Sequence, residues 1–423
     1  MKWHKYITIY LKVDWIKVKN RYRIIVQLLK LKMLFQIKSK PEDFIVEEIL
    51  SEWFPSWKWD FLYVFFKKEN LTTMDVIDYL TKNLHLQRDE LGIAWLKDKA
   101  WITIQWISIS KRSLDKIWGE DLFTKTLWEK ARILKKSWNE TWLKVASNDW
   151  NKFKIRLRAR QNISDEIKNQ IENNVQRIRE SWFPNCFGMQ RFGKWKKNFY
   201  EAKNRLEALG QEFEKRWKLV ESDLPYHLRF ILQAYASMYF NEYVLNRWEK
   251  GLFLLQWDIL VDRFNSNWVK TAVYDSQNIY LFDYQKLKKE KTDLNFFEPE
   301  IEWSVVELYS DNRFPTWPMI WRNMLVPLMW TKARVRDDQL LSLAGFHDSI
   351  QRVCKIYWLW WVRRVLFIKV PDLKLGWDSD DMNLEFSLPT GSYATTLLSF
   401  ILQWIDYLTL KDNSLVIPRI SEK

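Results

Sequence analysis

Tryptophan stands where this chain has to turn. In "GIAWLKDKAWITIQW", residues 92–106, an apolar approach from Leu91 to Ala94 meets the charged triplet Lys97, Asp98, Lys99, and an alternating strand follows in which Ile102, Ile104 and Trp106 face one way. The junction wants a residue that tolerates positive φ, and the sequence supplies Trp95. The pattern recurs: Trp57 and Trp59 in "SEWFPSWKWDFLYVFF" and Trp195 in "QRFGKWKKN" sit among Ser, Lys, Asp and Asn, the company glycine keeps between strands. An indole resists the left-handed backbone that glycine adopts at no steric cost. A fold with tight turns therefore needs glycine at these positions.

Composition points the same way. The 423 residues include 9 Gly and 28 Trp, whereas ordinary usage would supply roughly 30 glycines. The two types together come close to normal glycine plus a few true tryptophans. We read many of the Trp as UGA codons translated as Trp, from a lineage that decodes UGA as Gly; the alternative is a genuinely Trp-rich protein.

The length allows two domains, and 47% hydrophobic residues exclude general disorder. The net charge of +14 resembles that of nucleic-acid-binding chains. Residues 1–40, however, hold eleven Lys/Arg against one Asp, so most of the excess belongs to a short N-terminal segment. An RNA-binding surface elsewhere must come from local clustering. The apolar run Ile24 to Phe35, broken by Lys30 and Lys32, is too short and too charged to span a bilayer, and no small-residue cleavage site follows it. Residues 1–32 read as a basic arm for RNA, a membrane-surface segment, or an over-extension upstream of initiation at Met33, with the last preferred. Cys186 and Cys354 are the only cysteines, which fits a reducing cytoplasm.

From Met33 to Arg158 the pattern is mainly strands, among them "FIVEEIL", "DFLYVFFKKE" and "NKFKIRLRAR". One helix, "LTTMDVIDYLTKNL", has Met74, Ile77 and Leu80 on one face and Thr72 or Thr73 as N-cap. A second helix follows in "SDEIKNQIENNVQRI" after a Ser164 cap. Residues 196–350 turn helical, with a loop-rich middle from Asn265 to Glu300. The last 70 residues or so return to strands and a terminal helix, "GSYATTLLSFILQWIDYL". Strand-rich ends around a helical middle predict a discontinuous α+β domain on a mostly antiparallel central sheet, 33–195 with 351–423, interrupted by an inserted α+β domain at 196–350.

Phosphate-binding and dinucleotide glycine loops and paired C-x-x-C are absent. The four histidines, His4, His85, His227 and His347, have no ligand spacing. No metal or nucleotide cofactor is expected, and an enzyme here would work with carboxylates. At this point the residues resemble the TruD-type tRNA pseudouridine synthases, across 37–400 in motif order. "KSKPEDFIVEE" resembles K-x-x-P-E-D-F, and "AWLKDKAWITIQW" resembles A-G-x-K-D-[RK]-x-A-x-T-x-Q-W. "NDWNKFKIRLR" is similar to K-G-N-x-F-x-x-x-L-R, "PNCFGMQRFG" to P-N-Y-F-G-x-Q-R-F-G, and "FSLPTGSYATTLL" to L-P-x-G-S-[FY]-A-T. Each motif is weak alone; five in order are strong. Trp95 and Trp150 fall on family glycines, and Trp53, Trp57, Trp59 and Trp195 in its Gly-rich turns, whereas Trp106 falls on a family Trp. Cys186 replaces the usual Tyr.

The resemblance implies isomerisation of a tRNA uridine to its C-linked isomer, at position 13, without cofactor. Such chemistry needs a carboxylate at the glycosidic bond and a base drawn out of its stack. By resemblance that carboxylate is Asp98, although an Asp between two lysines is otherwise usually a solvated loop residue. Lys38 would pair with Asp98 and keep it ionised. Phe153 would stack on the uracil, while its parity with Ile155 and Leu157 equally predicts core packing. Asn151 would orient the pocket, or simply serve a turn. Glu42, Phe44 and Tyr393 line the same pocket in the resemblance; Arg156, Arg158 and Arg191 are candidate phosphate contacts, the first two equally explained by a solvated sheet face. The expected partner is tRNA and the expected state a cytoplasmic monomer, not membrane-bound. Two other classes stay open: a catalytically inactive RNA-binding protein of the same fold, and an interaction protein docked on membranes through its basic arm.

Overall fold

The computed structural model describes residues 34–50, 60–97, 99, 101–144, 147–193, 196–216, 226–249, 259–262, 270–274, 279–283, 313–318 and 363–402. Asp98, Trp53, Trp57, Trp59, Trp195 and the N-terminal segment 1–33 lie outside the described residues. The chain divides into two compact units: Met1–Glu180, Val370–Gly391 and Leu398–Trp404 form the first, and Ser181–Lys369, Ser392–Leu397 and Ile405–Lys423 the second.

In chain order the strands are β1 (Phe35–Ile37), β2 (Phe44–Leu50), β3 (Phe61–Glu69), β4 (Leu91–Ile93), β5 (Ile102–Ser110), β6 (Arg132–Asn139), β7 (Asn148–Ala159), β8 (Phe183–Pro184), β9 (Ile259–Asp262), β10 (Lys270–Tyr274), β11 (Ile279–Asp283), β12 (Arg313–Pro318), β13 (Arg363–Val365), β14 (Phe367–Ile368), β15 (Lys374–Asp378) and β16 (Asp381–Pro389). The sheet of the first unit runs β15-β16-β7-β2-β5-β3-β6, with β1 added on β7 and β4 on β5. Its pairings are antiparallel except β2 with β5, which is parallel. This is the α+β fold with a mostly antiparallel central sheet that the strand and helix patterns predict.

One face of β3 and β5 is closed by helices. Leu62, Val64, Phe66, Ile107 and Ile109 pack with Val76, Ile77, Leu80 and Leu84 of the helix Thr73–Leu84, and with Phe123 and Leu127 of the helix Glu120–Trp128. Each such side chain contributes about 1.5–3 kcal/mol by leaving water, so Leu80→Ala, at a fully buried position, would cost about 2–5 kcal/mol. Thr72 begins the first of these helices with a reciprocal cap. Its Oγ1 accepts the Asp75 amide at 2.9 Å, and Asp75 accepts the Thr72 amide at 2.7 Å. That fixes Thr73, the first helical residue, beside the loop after β4.

The short helix Lys111–Lys116 ends in a Schellman turn, in which the Gly119 amide donates to the Leu114 carbonyl at 2.9 Å. The left-handed residue of that turn is Trp118, with φ 66 and 91% exposure.

In the second unit β11-β10-β9-β12-β13 form one antiparallel sheet, and β14 pairs with β8. The helices Lys197–Arg216 and Tyr226–Glu249 belong to the same unit. Part of the stretch expected to be loop-rich is instead the paired strands β10 and β11. Alternating "KTAVY" and "IYLFD" around the polar "DSQN" are the hairpin signal that a count of loop residues hides. Among the described residues no helix is long and apolar enough to cross a membrane.

Candidate active site

The loop after β4 is held from two sides at Lys97. Its amide donates to Thr73 Oγ1 at 2.8 Å, and its carbonyl accepts the Thr73 amide at 3.1 Å. Thr73 in turn donates its hydroxyl to Gln105 Oε1 at 3.0 Å, tying the loop to β5. Both backbone polar groups of Lys97 are therefore spent on one helix N-terminus. The side chain reaches the other way. Lys97 Nζ donates to Asn151 Oδ1 at 2.7 Å and lies 3.3 Å from Glu48 Oε1.

These partners are neighbours by register. Glu48 on β2 stands opposite Asn151 on β7, two positions along from Val46 opposite Phe153. Strand alternation puts Phe44, Val46 and Glu48 on one face, and all three are buried. Glu48 accepts the Trp106 amide through Oε2 at 3.2 Å, and Asn148 Nδ2 donates to Asn151 Oδ1 at 3.2 Å. Burial pushes the Glu48 carboxyl up, against the pull of Lys97, the Trp106 amide and Lys68. The patch keeps spare hydrogen-bonding capacity: of five buried side-chain polar atoms without a bond among the described residues, Glu48 Oε1, Thr103 Oγ1, Gln105 Nε2 and Asn148 Oδ1 belong to it.

An aromatic group flanks this polar chain. Phe153 is buried, stacked on Phe386 of β16 at 5.3 Å and edge-on to Phe44 at 6.2 Å. Trp101 lies 5.2 Å from Phe44, and Lys38 Nζ sits over the Trp101 ring, 3.0 Å from its centroid and 4.3 Å from that of Phe44. Lys38 adopts φ 62. Glu42 is exposed in the short turn Pro41–Asp43 that precedes β2. Lys38, Phe44, Asn151 and Phe153 thus belong to one unit, with Lys97 immediately before Asp98 in sequence; the expected Lys38–Asp98 pair lies outside the described residues.

The other end of β7 behaves differently. Arg158 grips Asp43 through two bonds of 2.8 and 2.7 Å, and Arg156 binds Asp381 at 2.9 and 2.8 Å and Asp378 at 2.6 Å. Burial would raise the Asp43 carboxyl, but Arg158 and the Lys40 amide outweigh it and hold the group below its usual range. Both guanidinium groups, candidates for phosphate contacts or for a solvated sheet face, are engaged with carboxylates.

In the second unit Arg191 donates to Ser237 Oγ at 3.1 Å and to Gln233 Oε1 at 2.7 Å. Tyr393 packs 5.6 Å from Phe187, beside the buried Arg364. Gly188 shows why a true glycine stands in this motif: a Cβ there would lie 2.4 Å from Thr395 Oγ1. Cys186 is buried, and no cluster of metal-ligating side chains occurs among the described residues. Glu48 and Gln105 are not marked by the sequence reading, and Thr73 is marked there only as a possible N-cap. Glu48 had a readable signal, since a carboxylate shares the apolar parity of Phe44 and Val46.

Comparison with known proteins converges on one group. The family model of tRNA pseudouridine synthase D (TruD) matches residues 32–206. The tRNA pseudouridine synthase D of Thermus thermophilus is 26% identical over 368 residues, 87% of this chain and 88% of the relative. That of Sulfurimonas denitrificans is 29% identical over 225 residues, so that match spans 53% of this chain and 57% of the relative. A solved structure, assigned as a TruD from Methanosarcina mazei, shares the fold with a TM-score of 0.55 at 17% identity, over 88% of this chain and 94% of the other.

Proposed function

We propose that this chain, which is similar to the TruD tRNA pseudouridine synthases, is a member of that family and isomerises a uridine of tRNA, position 13 by the family's example, with Asp98 as the reacting carboxylate. The observation that carries this reading is the double anchorage of Lys97, which ties the residue next to Asp98 to Asn151 and Glu48 on one side and to Thr73 on the other. Lys97, the residue before Asp98 in sequence, is thus held by four groups, and defined geometry is a large part of catalysis.

In the reaction the glycosidic C–N bond breaks, the detached uracil turns, and C5 bonds to the sugar. The C5 proton is then lost and the freed ring nitrogen gains one, so the product is an isomer. Asn151 hydrogen-bonds within the pocket, Phe44 and Phe153 supply its aromatic wall, and the flipped base is read by stacking and polar edges. The reaction takes place in the first unit, which acts as the catalytic domain; the second is the inserted domain. Lys38 and Glu42 complete the assignment in the first unit as substrate-contacting groups, in a cytoplasmic monomer that needs no cofactor.

The test is release of tritium from tRNA carrying 5-tritiated uridine. Full-length protein made with its native decoding should release it, and Asp98→Asn should not, while tRNA binding persists because many phosphate contacts carry it. Turnover by Asp98→Asn near the parent rate would place the carboxylate elsewhere; an inactive parent that binds tRNA would favour the RNA-binding alternative.

A further inference from the structure

We infer that the Trp101 indole stands in the subsite of a pyrimidine base, so that a ring at position 101 and a flipped uracil exclude each other; this rests on the reading of Lys38, Phe44 and Phe153 as the lining of a uridine pocket. The position follows from register. β2 and β5 run parallel with Ile45 beside Ile102, so the residue just before β5 comes level with Phe44 and shares its face. There the two rings lie 5.2 Å apart at 44°. They belong to a row of four, Trp101, Phe44, Phe153 and Phe386, with successive centroids 5.2, 6.2 and 5.3 Å apart. The inner three are buried, and Trp101, at the end of the row, is only half-buried. The open end of an aromatic row is where an unstacked base finds a stacking partner.

Lys38 gives this place its chemistry. Its ammonium lies 3.0 Å from the Trp101 centroid and 4.3 Å from that of Phe44, within reach of both rings. An indole offers that cation only its π face. A uracil in the same place adds carbonyl oxygens, which accept charge-assisted hydrogen bonds from an ammonium. The indole therefore resembles the guest in shape and falls short of it in polarity. The chain does not need the ring to hold its backbone here. The Trp101 amide donates to the Lys99 carbonyl at 3.0 Å, and β5 begins at the next residue with its pairs to β2 and β3.

The test is binding of free uridine to the full-length tryptophan-bearing chain, followed by saturation-transfer NMR, with folding checked by thermal unfolding. Trp101→Gly and Trp101→Ala should bind uridine on the order of tenfold more tightly than the parent, the scale of one base–aromatic stack, and Trp101→Phe, which keeps a ring in place, should stay within about threefold of it. Free indole should restore the block in Trp101→Gly by competing with uridine for the vacated place. Parent-level uridine binding in folded Trp101→Gly or Trp101→Ala overturns the inference, as does an indole that leaves uridine bound or a gain in Trp101→Phe equal to theirs. Unfolding of both small variants would make the ring a core element and overturn it too. The assay needs no turnover. Uridine bound by Trp101→Gly while the natively decoded protein releases no tritium from tRNA would leave the subsite standing and sink the isomerase reading; tritium release without a gain in uridine binding would do the reverse.

Discussion

Trp106 and Trp118 lie on neighbouring elements and occupy opposite physical roles. Trp106, on β5, stands opposite Phe65 of β3 and stacks on it at 4.6 Å, with Tyr63 at 6.1 Å. This is the cross-strand aromatic pairing that stabilises sheets. Trp118 packs little: it is 91% exposed, in a left-handed backbone, at the position of a Schellman turn that glycine normally fills. One residue uses its ring and the other only suffers its Cβ. The difference supports the reading that the letter Trp stands for two residues in this chain, one encoded as tryptophan and one as glycine, and it supplies a criterion independent of family motifs: φ and ring contacts sort the positions.

The largest effect that would sharpen the contrast is at Trp106. Trp106→Gly removes the stacked ring and loosens a strand interior, so stability should fall by about 3 kcal/mol, toward the low end for aromatic deletion because the side chain is only partly buried. Chemical denaturation reads this directly, and the codon should be UGG. A neutral Trp106→Gly would break the comparison, since the ring would then contribute as little as that of Trp118.

An intermediate effect is expected on activity rather than stability. Trp95, 37% exposed, precedes Lys97 by two positions, and Trp150 adjoins Asn151 where β2 and β7 shift register. Indoles at these positions place bulk on the loop and the strand end that carry the candidate site. Trp95→Gly with Trp150→Gly should raise kcat/KM for tRNA on the order of tenfold over the tryptophan-bearing chain, the scale of a modest correction in placement, with stability changing by less than about 1 kcal/mol. Equal turnover, or UGG at both codons, would count these two with Trp106.

The same contrast separates what is legible in the sequence from what is not. Local signals held: the alternation of "FIVEEIL" made β2, the Thr72 cap began its helix, and β7 followed its alternating charges. Within the candidate site, Lys38, Phe44, Asn151 and Phe153 came from motif order. Glu48 was missed because a strand glutamate is by default a solvent position, and only its parity marks it as inward. The carboxylate partners of Arg156 and Arg158 are not legible in the sequence because they are remote along the chain. Asp43 is 115 residues from Arg158, and Asp378 and Asp381 are 222 and 225 from Arg156. Pairings at that distance follow from sheet order, β15-β16-β7-β2, which no local pattern encodes. Trp118 escaped for a related reason: "IWGED" already contains Gly119, so the turn looked supplied.

The smallest effect is at Trp118, and it is the most specific. A side chain held in the left-handed region costs about 1–2 kcal/mol. Glycine there gives back about 0.5–1 kcal/mol as extra freedom of the unfolded chain, so Trp118→Gly should gain roughly 0.5–1 kcal/mol, the difference of the two. The ring's exposure means that almost no packing is lost in the exchange. Trp118→Ala separates backbone from ring, because alanine removes the indole but keeps the Cβ that the left-handed backbone opposes. Stability should therefore rise with Gly and stay near the parent with Ala, as measured by thermal unfolding of the otherwise unchanged chain. Equal gains for both would locate the penalty in the exposed indole instead of the backbone, and a loss with Gly would mean that Trp118, like Trp106, contributes through its ring.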